Sequence, residues 1–260
     1  MCADRPGRPA RNCILLTRPE AESRQLAQAL QGLDAECIVF PTLEIRPIEP
    51  DARVLACVDS LERYALAIFV SVNAVRCGLS LVRSRRAWPA GTQVAAIGAA
   101  TAQALSDAGF ERVLAPGSGN DSEALLAHPA LGLIRDARVL LVRGVGGREH
   151  LARTLRERGA QVDYLEAYRR VVPDADVRPL RLLINQGQVC ATVAASAEGL
   201  DNLVQMLGRE SARILGTRPV LVHHARIAAA AAALGFVDAR VVPAEAHAME
   251  PVLRACLEKR

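Results

Sequence analysis

Ile14-Leu15-Leu16-Thr17-Arg18, near the start of the chain, has a counterpart 125 positions later in Val139-Leu140-Leu141-Val142-Arg143. Each apolar run leads into a helical pattern at that same spacing, Leu26, Ala27 and Leu30 in the first and Leu151, Ala152 and Leu155 in the second. Ala35 and Ala160 then open one further apolar run each, Cys37 to Phe40 and Val162 to Leu165. A second block keeps the offset of 125: Ile68-Phe69-Val70-Ser71 before a helix starting near Asn73, and Val193-Ala194-Ala195-Ser196 before one starting near Glu198. A third block is offset by 126. There, Val94-Ala95-Ala96-Ile97-Gly98 leads into an Ala-rich helix ending at Gly109-Phe110, and Val220-Leu221-Val222-His223 into one ending at Gly235-Phe236. One such match carries little, because strand–turn–helix units resemble one another. Three in order at one offset mark an internal duplication.

Each unit reads as an apolar run, a small or polar turn, and an amphipathic helix of period near 3.6. Alternating strands and helices predict parallel sheets with helices on both faces. The fold expected is therefore two doubly wound α/β domains, each of roughly four or five strands. Gly109 and Gly235 fall where a helix ends in the left-handed conformation. The duplication leaves the assembly open. The domains could follow one another, or the apolar segments Ile38–Ile45 and Tyr164–Val172 could be paired crossovers between them.

Composition narrows the chemistry. The chain has 260 residues, enough for a substantial core in one large domain or two small ones. Hydrophobic residues make up 51% but aromatics only 3%, so the apolar mass is Ala, Leu and Val, as in buried parallel strands. Lys259 is the single lysine, which argues against a Schiff-base enzyme or a Walker-type phosphate loop. A net charge of +4, spread along the chain, suits an anionic small molecule better than nucleic acid. Seven cysteines without a CxxC pair argue against zinc, iron–sulfur or a disulfide frame, and read as small core residues of a reducing compartment. No apolar stretch of membrane-spanning length and no signal-like segment occurs, so the expected location is the cytoplasm.

Ligands of open parallel sheets bind beyond the carboxyl ends of the strands. The repeat places those ends at Thr17-Arg18, Ser71, Gly98, Arg143-Gly144, Ser196 and His223-His224. Two such rims facing each other would form a cleft rich in helix N-termini, which suit carboxylate or phosphate. Arg143-Gly144-Val145-Gly146-Gly147-Arg148 is the richest, two arginines around a loop with three glycines. It is not a GxGxxG dinucleotide motif, and a plain strand-to-helix turn is the competing reading. Thr101 sits in the first turn after Gly98, with its hydroxyl toward the cleft or capping the helix. Ser71 and Ser196 occupy equivalent positions, as ligand contacts or as caps; neither lies in GxSxG, which argues against a serine hydrolase. His223 and His224 are adjacent in an extended run and point to opposite faces, so no metal site is expected. Tyr168 precedes Arg169-Arg170 and is either a structural tyrosine or an acid or hydrogen-bond donor.

Across about Ile14 to Leu253 the chain resembles the uroporphyrinogen-III synthase family. The stretches that carry the resemblance are Leu15–Pro19, Ile68–Val75, Ala95–Leu105, Asp121–Leu126, Leu140–Val162, Tyr168–Arg170, Ser196–Leu203 and Arg226–Phe236. The resemblance implies two flavodoxin-like domains joined by a two-stranded connector, which selects the crossover option. One domain would comprise 1–40 and 172–260, the other 41–171. The reaction implied is closure of hydroxymethylbilane with inversion of ring D and loss of water, using no cofactor and no metal. Tyr168 matches the family's tyrosine and would assist departure of hydroxide; it and Thr101 are the catalytic candidates, Thr101 and Ser71 matching family hydroxyl positions that line the cleft. Arg18, Ser71, Asn73, Gly98, Arg143, Gly144, Gly147, Arg148, Ser196 and Arg226 are the substrate-binding candidates. The implied protein is a monomer that takes its substrate from hydroxymethylbilane synthase and binds neither nucleic acid nor membrane. Two stretches depart from the family's pattern. Ala194-Ala195 precede Ser196 where Thr-Ser is common, and His224-Ala225-Arg226 replaces a Ser-Glu-Arg-like run. A tetrapyrrole- or anion-sensing regulatory module on the same fold, or a two-domain solute-binding protein, are the competing readings.

Overall fold

The computed structural model describes residues 12–119, 121–147 and 149–258. In chain order its strands are β1 (Cys13–Leu16), β2 (Glu36–Val39), β3 (Glu44–Pro47), β4 (Leu66–Phe69), β5 (Gln93–Ala96), β6 (Val113–Leu114), β7 (Arg138–Gly144), β8 (Gln161–Val171), β9 (Val189–Val193), β10 (Val220–Val222) and β11 (Ala239–Val241). The α-helices are α1 (Glu20–Ala29), α2 (Ala52–Asp59), α3 (Val72–Arg83), α4 (Ala99–Asp107), α5 (Ser122–Leu126), α6 (His150–Glu157), α7 (Arg178–Asn185), α8 (Ala197–Gly216), α9 (Ala225–Ala233) and α10 (Ala246–Glu258).

The chain divides into two compact units. One contains the chain up to Glu44 and from Val171 onward; the other is Ile45–Arg170. The first has a sheet in the order β2-β1-β9-β10-β11, with all four neighbouring pairs parallel. The second has the order β3-β8-β7-β4-β5-β6, parallel from β8 to β6. Shifted by the repeat offset, β8-β7-β4-β5-β6 maps strand for strand onto β2-β1-β9-β10-β11. The two sheets thus share one topology, but each draws on both copies of the repeat. The first takes β1 and β2 from the first copy and β9 to β11 from the second; the other unit takes the remainder. β3 and β8 carry the chain between the units and are neighbours in one sheet. The paired crossover is therefore the arrangement found, and sequential domains are not.

Burial explains the strand sequences. The central strands β1, β4 and β9 are buried at every position, which requires uninterrupted apolar runs. Edge strands β2, β6 and β11 are only partly buried. In the first unit Ile14 and Leu16 pack with Leu26 of α1, Leu30 just after it, and Met249 and Leu253 of α10. Leu15, one residue along and on the other face, packs with α7, α8 and α9 through Leu180, Leu200 and Ile227. The second unit repeats this, with α2, α3 and α4 on one face and α5 and α6 on the other. Gly109 and Gly235 follow the last residues of α4 and α9 with φ of +97° and +95°, the left-handed stop that the sequence predicts.

Candidate active site

In each sheet the carboxyl ends of the parallel strands lie along one edge. At the edge of the second unit, β7 and β8 pair Arg143 with Glu166 and then Gly144 with Tyr168, leaving Ala167 as the extra residue of a β-bulge. Strict alternation would put Tyr168 on the same face as Tyr164 and Glu166. The bulge turns it to the opposite face, among Leu140, Val142 and Phe69. There the tyrosine is 4% exposed, and its hydroxyl lies 3.0 Å from Ser71 Oγ. Gly144 makes room for the ring, since a Cβ at that position would lie 2.7 Å from Tyr168 Cε2. Val145 N donates to the Tyr168 carbonyl at 2.8 Å, which fixes the backbone around the bulge.

Ser71 follows β4 and caps α3, its Oγ accepting from Ala74 N at 3.0 Å. Its hydroxyl thus joins the end of a helix to Tyr168. Asn73 Oδ1, in the first turn of α3, accepts from Arg76 at 3.3 Å. Gly98 is the residue before α4 and is buried. Thr101 is 5% exposed in the first turn, and its hydroxyl neither caps α4 nor has a hydrogen bond among the described residues. The capping reading of Thr101 is therefore not what the structure shows.

Arg143 is 6% exposed. Its Nη1 donates to Glu149 Oε1 at 2.8 Å and its Nε to Glu166 Oε1 at 3.2 Å, while the guanidinium lies 4.4 Å over the Tyr164 ring. Tyr164 donates to the other oxygen of Glu149 at 2.5 Å. That bond, with Arg143 close behind, holds the Glu149 carboxyl below its ordinary pKa. Burial and the same carboxylate raise the Tyr164 phenol. Two carboxylates thus already pair with Arg143 in this structure. Gly147 packs close to it, with a built Cβ 3.3 Å from Arg143 Nε, and so belongs to the same scaffold. Arg148 lies outside the described residues.

At the edge of the first unit, Thr17 follows β1, its backbone N and its Oγ1 both bonded to the Val193 carbonyl. Arg18 comes next, and its Nη2 contacts His223 Nε2 at the end of β10. His223 Nδ1 faces the Val242 carbonyl at 3.2 Å. Arg18 Nε is buried without a hydrogen-bond partner. Ser196 caps α8 through Gly199 N at 2.9 Å, matching Ser71. Arg226 is exposed in the first turn of α9. His224 is exposed while His223 is half-buried, in keeping with adjacent side chains on opposite faces. Among the described residues no group of three or more His, Cys, Asp or Glu could hold a metal.

Tyr168, Ser71 and Gly144 are therefore brought together, and Arg18 is joined to His223. Sequence reasoning missed Glu149, Glu166 and Tyr164 as partners of Arg143. Glu166 stands two residues before Tyr168, a strand spacing that could have pointed to Arg143 once β7 and β8 were paired.

A family model for uroporphyrinogen-III synthase HemD matches residues 24–252. The uroporphyrinogen-III synthase of Escherichia coli (strain K12) is 31% identical over 231 residues, covering 88% of this chain and 94% of that protein. The Salmonella typhimurium enzyme is 33% identical over 234 residues, with the same coverage of 88% and 94%. Among solved structures, a Thermus thermophilus uroporphyrinogen III synthase superposes with a TM-score of 0.66 at 19% identity, covering 96% of this chain and 100% of that one. A Helicobacter pylori uroporphyrinogen-III synthetase gives 0.56 at 14% identity, covering 95% and 97%. At that identity the two structures speak for the fold alone, and the fold they share is the one built here from the repeat. The match over most of the chain carries the assignment: the chain belongs to the uroporphyrinogen-III synthase family.

Proposed function

We propose that this chain closes linear hydroxymethylbilane to uroporphyrinogen III, inverting ring D and releasing water, in tetrapyrrole biosynthesis. Family membership supports the reaction, and one observation carries the mechanism: the Tyr168 hydroxyl lies 3.0 Å from Ser71 Oγ. Ser71 Oγ already accepts the Ala74 N–H. When Ser71 donates its own proton to Tyr168, the phenolic proton points away from serine, ready for the departing hydroxyl of the substrate. Tyr168 is then the donor that helps hydroxide leave and gives a cationic intermediate. The bilane also closes spontaneously to the wrong isomer, so most of the catalytic work is folding and orienting the chain of pyrroles.

Acetate and propionate groups on every ring call for cationic and N–H donors. Arg18, Arg226 and Ser196 are the contacts proposed in the first unit, and Gly98, Thr101 and Asn73 those in the second. The described residues include no helix long and apolar enough to cross a membrane. We place the enzyme in the cytoplasm as a monomer that works without cofactor and receives its substrate from hydroxymethylbilane synthase.

The test supplies enzymatically generated hydroxymethylbilane and separates the product isomers. The type III isomer is expected in excess of the spontaneous product. A mixture identical to the uncatalysed one overturns the reading. Tyr168→Phe is expected to lower kcat by about tenfold with the isomer unchanged, since positioning carries most of the rate.

A further inference from the structure

Arg18 keeps an unusual partner for a half-buried cation. Its Nη2 meets the Nε2 of His223, and its Nε is buried with no hydrogen-bond partner. No carboxylate forms an ion pair with it among the described residues. A neutral imidazole is what this contact requires, because a protonated ring would set two cations against each other. The ring's other nitrogen faces the Val242 carbonyl, which suits an N–H at Nδ1 and a lone pair at Nε2. The guanidinium is thus held by a weak, uncharged acceptor, in a place where water does not reach all of its donors. Such an arrangement costs stability, and a charge-assisted bond to an anion would relieve that cost.

We propose that Arg18 and His223 form a carboxylate-binding subsite, in which an acetate or propionate group of the substrate takes the guanidinium from the imidazole and draws a solvent proton onto His223. The proposal rests on the synthase reading. Once the carboxylate arrives, His223 Nε2 loses a donor and gains an anionic neighbour, so the protonated ring can donate to the same carboxylate. The charged surroundings agree. Burial holds His223 below its ordinary pKa, with Arg18 of the β1 rim and its neighbour His224 acting in the same direction; the Val242 bond and Glu245, beyond β11, oppose them. Burial also lowers Arg18, against the pull of Glu22 on α1. Free enzyme therefore carries neutral His223 at pH 7, and binding takes up a proton. Affinity rises as pH falls between the pKa of the free and of the occupied site, while the substrate carboxylates stay ionised above about pH 5.

KM, kcat and product isomer are measured from pH 6 to 8.5 on the wild-type chain and on the Arg18→Ala, Arg18→Lys and His223→Gln variants, each checked for folding by circular dichroism. The KM of the wild type is expected to rise several-fold from pH 6 to 8.5. Arg18→Ala should raise KM roughly tenfold or more, with type III product still formed. Arg18→Lys, which keeps the charge and loses the two-pronged donor, should fall between. His223→Gln should flatten the pH profile of KM. Type III product with KM and its pH profile unchanged in Arg18→Lys and His223→Gln overturns the subsite and leaves the synthase reading standing. A spontaneous isomer mixture from the wild type overturns both.

Discussion

Arg18 and Arg143 occupy the same position in the two repeats, yet they face opposite chemistry. Arg143 is buried between Glu149 and Glu166, under the electron-rich face of Tyr164. Arg18 faces a histidine and keeps a buried Nε unsatisfied. The framework around them is the same: a central parallel strand, a following helix, and a serine cap on the neighbouring strand's helix at Ser71 and Ser196. What differs is which side chains the flanking elements supply. Where carboxylates arrive, the arginine becomes part of the scaffold and ties the glycine loop to β8. Where none arrives, the charge stays available. A duplicated fold can in this way keep its architecture and divide scaffold from binding between the two copies.

The comparison breaks most visibly at Arg143. Arg143→Ala removes the cation that two carboxylates share and leaves a gap under Tyr164. Their partial exposure lets water recover part of the loss, so the expected cost is about 3 kcal/mol in chemical denaturation. Gly144→Ala tests the other half of the scaffold. Its Cβ would stand 2.7 Å from a buried aromatic ring, with no flexible chain end to give way. About 2 kcal/mol is expected, together with a fall in kcat as Tyr168 is displaced. Gly146→Ala is the control: it meets no neighbour but has φ of +72°, so it should cost about 1 kcal/mol and spare kcat. Equal losses of kcat in both would show that Gly144 serves the backbone and not the tyrosine. Ser71→Ala loses a helix cap worth about 1 kcal/mol and frees the Tyr168 hydroxyl, so kcat should fall with stability. The equivalent Ser196→Ala should lose the cap and, as a proposed substrate contact, raise KM without the fall in kcat.

The repeat was legible because burial on both faces demands apolar runs, and the offset recurs in three blocks. The exchange of halves between units was not legible from the residues. Both copies satisfy the same local contacts whether β1 pairs with β4 of its own copy or with β9 of the other, so only the pairings of β1 with β9 and of β7 with β4 decide it. The bulge at Ala167 was hidden for a related reason. An apolar alanine fits either face, and Glu166, Ala167 and Tyr168 read as ordinary alternation. The site followed the same pattern. Tyr168, Ser71 and Gly144 could be nominated one by one, but the extra residue that turns the ring toward Ser71 leaves no mark in composition. The partners of Arg143 were not legible because they sit six positions away and on another strand, while only the charge was visible in the loop.

Arg18→Ala should change stability least of all. A guanidinium that makes no ion pair among the described residues, and whose Nε is desolvated without a partner, gives back little when removed. The lost contact with His223 and the lost packing of the stem are offset by relief of that desolvation. A change within about 0.5 kcal/mol is expected, against about 3 for Arg143→Ala in the same assay. The contrast is informative because residue type and repeat position are matched, while burial and neighbours differ. Equal destabilisation by the two substitutions would mean that Arg18 is also scaffold. A near-silent Arg18→Ala in denaturation, combined with a weakened KM, places the charge where binding and not folding makes use of it.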